Sequence, residues 1–296
     1  MTRRDATFRS RMAARAPRIV RKIVRIIEHY GRRHREWVQV LREMRGVTAR
    51  DTIVLWTSAL IAPLTALRRL DGFEPPVLLA DVEVQVTGVG RFRLRGGTDD
   101  IITILPSREP HVREVVESFL KPGDTFVDAG ANLGFYSVVA RARVGPQGRI
   151  VAVEMMPETA AVLREQLAAN GIHNATVVQR ALSDTSGADI AATAPAYKHG
   201  QASIAPQVQP RGARTQHVRT IRLDEVLSRV EEIALIKMDL EGAEYRALRG
   251  AEGILDRVRS IIFENNSDDS RIDELLSDGG FRVRHLSGHD YLAVRS

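Results

Sequence analysis

The segment Asp128-Ala-Gly-Ala-Asn-Leu-Gly134 follows the apolar stretch Thr125-Phe126-Val127 and precedes a helical pattern. No other part of the chain constrains its fold as much. A buried strand ending at Asp128 must turn sharply, and Gly130 and Gly134 let the backbone do so and approach a ligand closely. Asn132 sits inside that turn. A helix beginning near Gly134 aims its free N–H groups at the same spot, so the junction has the form of a nucleotide pocket. A tight glycine turn also joins strands to helices in α/β proteins without a ligand, so the next strand has to decide.

Arg149-Ile-Val-Ala-Val-Glu154 is a short apolar run whose closing carboxylate lies twenty residues after Gly134, where a doubly wound sheet places the acid that accepts ribose hydroxyls. Glu158 to Asn170 then has helical spacing and stops at Asn170-Gly171. Ala175 to Leu182 reads as a third strand, and Asp184 in the turn after it is placed to reach a base, assigned here to the adenine amino group. The fourth strand, Ala234 to Gly242, carries Lys237, Asp239 and Glu241 on alternate positions before an expected helix over Ala243 to Leu255. Charges at the end of an apolar strand persist only when paired, bound to a ligand or facing a wet cleft. Ser260-Ile-Ile-Phe-Glu264 is the fifth strand, so Asp239, Glu241 and Glu264 are expected on one rim.

These residues resemble a known family. Asp128-x-Gly-x-Asn-x-Gly134, Glu154, His199-Gly-Gln-Ala-Ser203, Leu223-Asp224-Glu-Val and above all Lys237-x-Asp-x-Glu-Gly-x-Glu244 with Leu248-x-Gly250 look like the FkbM methyltransferases. Phe92 to Asp100 is similar to the short strand segment before the cofactor domain in that family. The resemblance covers about Phe92 to Glu264. It implies a class I methyltransferase, Rossmann-like α/β fold with a doubly wound seven-stranded sheet whose seventh strand is antiparallel. It also implies S-adenosylmethionine as cofactor and O-methylation of a hydroxyl on a sugar, glycolipid or polyketide-type secondary metabolite. The acceptor is then a small molecule or a glycan- or lipid-linked one.

A sulfonium methyl is already activated, so the protein has chiefly to align the acceptor oxygen and remove its proton. Strand position makes Asp239 the foremost base, with Glu241 or His199 as substitutes. His199 lies in the insert Thr185 to Thr220, rich in Ala, Pro, Gln and Gly, which reads as irregular chain forming a lid over the cleft. Oxygen ligands from Asp239, Glu241 and Glu264 would suit magnesium if they converged, although no firm metal motif is present and no His pair has zinc spacing.

Charge divides the 296-residue chain. Residues 1–50 hold 15 Arg and Lys against 4 acids, a net +11, whereas residues 51–296 hold 28 against 33, a net −5. The apolar positions of Arg18 to Ile27 make an amphipathic helix with a basic face, suited to an anionic membrane surface, a partner or nonspecific nucleic acid. Arg interrupts every apolar run that could serve as a secretory signal, and Pro63 interrupts Ile53 to Leu67, which is too short to span a bilayer. Absence of cysteine accords with a reducing cytoplasm, with the basic helix able to hold the protein at a membrane. The expected divisions are a basic helical extension over 1–79, a β-hairpin with a connecting helix over 80–120, and a methyltransferase domain over 121–296. A chain beginning near Asp51 is expected to keep cofactor affinity.

The hairpin follows from alternation at Val82, Val84, Val86 and Phe92, Leu94 around Thr87-Gly88-Val89-Gly90, and is expected to extend or cover the main sheet. His111 to Leu120 reads as a helix. Beyond Glu264, a short helix over Ile272 to Leu276 precedes the closing pair Phe281 to His285 and Tyr291 to Arg295. Two other functions share some of these features. A nicotinamide-dependent oxidoreductase leaves the acidic fourth strand unexplained and lacks a Tyr and Lys pair for hydride chemistry. A nucleic-acid methylase, or a catalytically inactive binding module, would grip with the basic arm, yet no aromatic-rich segment near Asp239 offers to stack an extruded base.

Overall fold

The computed structural model describes residues 31, 33–67, 76–194, 202–204 and 214–296. The basic helix expected over Arg18 to Ile27 lies outside them, as does His199. The main sheet holds seven strands: β4 Thr125–Ala129, β5 Arg149–Val153, β6 Ala175–Val178, β10 Leu235–Met238, β11 Ser260–Glu264, β12 Phe281–Ser287 and β13 Asp290–Arg295. Their order is β12-β13-β11-β10-β4-β5-β6. Neighbours from β11 to β6 are parallel, and β13 runs antiparallel to both β11 and β12. This is the class I methyltransferase sheet, with the final strand reversed.

Both faces are buried at the central strands β4, β5, β10 and β11, which is why these read as nearly unbroken apolar runs. Successive residues alternate between two clusters: Phe126, Ile150, Leu235 and Ile262 point to one side, Val127, Val151, Ile236 and Ile261 to the other. The chain winds one way from β4 through β5 to β6 and the other way through β10 and β11. The carboxyl ends of β4 and β10 therefore flank the switch point, where open α/β sheets bind ligands.

The first cluster is roofed by the earlier part of the chain. A helix, α1, over 33–43 leads into β1 Met44–Gly46, followed by α2 Ala49–Leu67, then by the hairpin strands β2 Val82–Val86 and β3 Gly90–Leu94. Strand β1 pairs with β2, so the hairpin becomes a separate three-stranded sheet that covers the main one without extending it. The free edge of β3 is closed by amides of the helix Pro157–Ala169 and its cap. The N–H of Arg91 donates to Asn170 Oδ1 (2.8 Å) and Asn170 Nδ2 donates to the Arg91 carbonyl (2.7 Å). Gln166 does the same at Arg93 (2.9 and 2.6 Å). Two side chains thus complete the edge as a strand would. Trp37, Val40 and Met44 are 4% exposed or less and join the same core as Phe92 and Phe126. Within the basic residues 1–50, Trp37, Val40 and Met44 therefore pack into the core that the later chain shares, while Gln39, Arg42 and Arg45 between them stay exposed.

Three local expectations change. Ala175 to Leu182 is not one strand: β6 ends at Val178, and β7 Ala181–Leu182 leaves the main sheet to pair with β9 Arg214–Ile221. The insert is not wholly irregular, since β8 Asp189–Ala194 pairs antiparallel with β9. The helix expected over Ala243 to Leu255 breaks at Gly250 into α-helix Glu244–Arg249 and a 3₁₀ turn Glu252–Arg257. A Cβ on Gly250 would lie 2.1 Å from the Ser183 carbonyl oxygen, so the helix ends where the chain after β7 crosses it.

Candidate active site

A cavity of about 280 Å³ opens at the switch point. Its walls come from the turn Gly130 to Leu133 after β4, from Val153 and Glu154 at the end of β5, and from Lys237 in β10 with Asp239 and Glu241 after it. The turn is shaped by contact. Gly130 adopts φ +81, and a Cβ there would meet the Asp239 carbonyl oxygen at 1.9 Å, so glycine is what allows the β4 and β10 loops to touch. Gly134 (φ +80) begins the helix Phe135–Val144 and, like Asp128, does not line the cavity. Asp128 is buried beneath the turn, where Oδ2 accepts from the Ser137 hydroxyl at 2.7 Å.

Glu154 faces the cavity from a buried position. Its Oε2 accepts from the Asn132 N–H (3.0 Å) and its Oε1 from the Met156 N–H (2.8 Å). A carboxylate has about four acceptor sites, so two remain for ligand hydroxyls. Burial pushes the Glu154 carboxyl up to about 7, against the pull of those two N–H donors. Asn132 Oδ1 is a buried acceptor with no partner, at φ +47 in the same wall. These features fit a polar ligand carrying a diol and further donors, as S-adenosylmethionine does.

Opposite lies a charged group. Lys237 Nζ is 3.1 Å from Asp239 Oδ2 and 5.1 Å from the centre of the Tyr136 ring. Burial raises the Asp239 carboxyl, but the Lys237 charge and hydrogen bond, Arg108 and a hydrogen bond from Glu264 outweigh it and leave Asp239 below its ordinary value. Glu241 moves the other way: burial and repulsion from Asp239 raise it to about 7. Glu264 goes to about 8, through burial and then the charges of Asp239, Glu241 and Glu244. The surroundings thus favour the ionised form of Asp239 and the protonated forms of Glu241 and Glu264 relative to ordinary carboxyls.

The expected acid rim is rearranged. Asp239, Glu244 and Glu264, not Glu241, bring oxygens within 4.8 Å of one another. Glu244 is turned inward because its Oε1 accepts from the Leu240 N–H at 2.7 Å. Asp184 does not line the cavity: its carboxylate pairs with Arg246 at 2.9 Å, and the contact with Arg246 holds it below its ordinary value. The turn after β7 follows the second sheet, which places Asp184 outside the cavity lining although Arg180, Ala181 and Leu182 just before it belong to the wall. Ala202 and Ile204, from the insert, do reach the cavity wall, and the Ser203 hydroxyl donates to the Glu241 carbonyl at 2.8 Å.

Sequence reasoning missed several lining residues, among them Arg108, Glu109 and Tyr136. Arg108 and Glu109 pair at 3.1 Å, and the Tyr136 hydroxyl donates to Glu109 Oε2 at 2.9 Å. None lies in a spaced motif; Arg108 and Glu109 belong to the approach to the helix Pro110–Phe119, which only tertiary packing brings to the cleft.

The reversed last strand, the glycine turn and an acid at the end of β5 together define a class I methyltransferase that uses S-adenosylmethionine. A sequence profile of the methyltransferase FkbM domain matches residues 128–283, more than half the chain. The chain belongs to the FkbM methyltransferase family. Methyltransferase sdnD of Sordaria araneosa is 29% identical over 197 residues, covering 55% of this chain and 75% of that protein. Methyltransferase 1 of Beauveria bassiana is 27% identical over 188 residues, covering 55% and 74%. The crystal structure of methyltransferase FkbM from Methylobacillus flagellatus KT aligns with a TM-score of 0.41 at 15% identity, over 66% of this chain and 54% of that one.

Proposed function

We propose that the chain methylates a hydroxyl oxygen on a sugar, glycolipid or polyketide-type secondary metabolite. The acceptor class and the choice of oxygen rest on the family resemblance; the observation that supports deprotonation of a hydroxyl is Glu241, a carboxyl raised to about 7 in the wall of the cavity that Glu154 also lines. Bound S-adenosylmethionine supplies a methyl group on a sulfonium, which needs an oxygen nucleophile in line with the breaking carbon–sulfur bond. Glu154 accepts the ribose hydroxyls and Asn132 offers its free oxygen to the same ligand. Glu241 takes the acceptor proton as the oxygen–carbon bond forms, because its proton affinity is matched to neutral pH. Asp239, first in the expectation from strand position, is too firmly ionised by Lys237 to be the better base. Its role in this reading is to hold Lys237 and to orient the acceptor hydroxyl.

The test is methyl transfer from labelled cofactor to a panel of hydroxylated acceptors, repeated with Glu241→Gln and Asp239→Asn. Glu241→Gln should lower turnover by about a hundredfold or more while cofactor affinity stays within about twofold. Addition of EDTA and then magnesium distinguishes a base from a metal: activity indifferent to both supports Glu241 as base, whereas loss and recovery would move the chemistry to Asp239, Glu244 and Glu264. Near-native turnover of Glu241→Gln would remove that residue from the reaction.

A further inference from the structure

Helix α2 packs Val54, Leu55, Ala59 and Ala62 on the core yet is apolar on its outward face as well. Its inward positions are Asp51, Leu55, Ser58 and Ala62, all 5% exposed or less, and two of these four are polar. Its outward positions Ile53, Trp56 and Leu60 are 62%, 58% and 78% exposed. A surface helix normally turns polar residues to water, and a contiguous apolar stripe left in solvent marks an interaction surface. The stripe is rigidly presented. Thr48 and Asp51 cap the helix reciprocally, with the Thr48 N–H donating to Asp51 Oδ2 at 3.1 Å and the Asp51 N–H donating to Thr48 Oγ1 at 3.2 Å.

Charge selects the partner. From Thr52 to Leu67 the chain has no ionisable residue, Arg50 precedes this run and Arg68-Arg69 follows it, and residues 1–50 carry a net +11. A second copy of this chain would bring like charge against like. The segment Arg18 to Ile27, with Arg18, Arg21, Lys22 and Arg25, would do the same. A surface that is negative outside and apolar within satisfies both the flanking cations and the stripe, and tryptophan favours such an interface. We propose that the outward face of α2 is a membrane-docking surface that seats Ile53, Trp56 and Leu60 at the headgroup boundary of an anionic bilayer. Docking is peripheral, as no helix among the described residues is long and apolar enough to cross a membrane. This goes beyond the acceptor chemistry and does not depend on it.

The full chain should float with vesicles of phosphatidylglycerol and phosphatidylcholine, and far less with phosphatidylcholine alone. The chain has two tryptophans, and Trp37 is 4% exposed, so a change in emission on binding reports Trp56. Emission should shift to the blue, and lipids brominated in the acyl chain should quench it. Combined Ile53→Ser, Trp56→Ser and Leu60→Ser should lower vesicle partition at least about tenfold with cofactor binding retained, because the three side chains are exposed. Absence of vesicle binding would overturn the proposal. So would vesicle binding that the triple substitution leaves unchanged and acyl-chain bromine does not quench. A concentration-dependent dimer lost in the triple variant, without vesicle binding, would assign the face to a second copy instead.

Discussion

Cofactor affinity should be linked to the proton on Glu154. Burial raises this carboxyl from 4.5 to about 7 in the protein without ligand. Between those values the folded protein binds more protons than the unfolded chain, so the stability contributed by this group is complete below about 4.5 and is lost as pH rises through about 7. The full difference is about 3 kcal/mol. Ribose hydroxyls can donate to the carboxylate but not to both oxygens of the protonated form, so binding should favour ionisation. At about pH 6 roughly nine tenths of the group is protonated, and binding should release about 0.9 proton; affinity should rise about tenfold from about pH 6 to about pH 8. Calorimetry in two buffers of different ionisation enthalpy measures the released proton directly, and Kd against pH measures the linkage. Glu154→Gln should cost about 1.5 to 3 kcal/mol of binding near pH 8 and abolish the proton release. Proton release that persists unchanged in Glu154→Gln would show that another carboxyl carries it, and a pH-independent native affinity would refute the placement of the ribose at Glu154.

Three further outcomes follow from the packing. Gly130→Ala should cost more than about 2 kcal/mol of stability and abolish measurable cofactor binding, because its Cβ must displace the Asp239 carbonyl at φ +81; thermal denaturation and calorimetry read both effects. Asp184→Ala should change cofactor affinity less than about twofold, since its partner is Arg246 and an exposed ion pair contributes at most about 1 kcal/mol; a large loss of affinity would restore the adenine assignment. A chain beginning at Gly31 should fold and bind cofactor, whereas one beginning at Asp51 should lose roughly 5 kcal/mol or more with Trp37, Val40, Met44 and strand β1, as denaturant titration would show.

Much of the fold and part of the site were legible in the residues themselves. Gly130, Gly134 and Asn132 stand where the backbone adopts positive φ, a demand of local geometry that glycine and asparagine meet most easily. Apolar runs before Asp128, Glu154, Asp239 and Glu264 had to be buried strands, and their closing acids had to emerge at the same sheet end. What a side chain meets after leaving that end is not local. Asp184 found Arg246, 62 residues away, and Gly250 met the carbonyl of Ser183. Glu244 turned toward Asp239 and Glu264 in the place expected of Glu241. Arg108, Glu109 and Tyr136 reached the cavity without any motif to announce them. The outcome that matters most for chemistry is of the same kind. Spacing could place Asp239 and Glu241 near each other, but only the ion pair with Lys237 and the burial around Glu241 lower the proton affinity of the first and raise that of the second, because proton affinity depends on the charges and solvent that tertiary packing leaves beside each carboxyl.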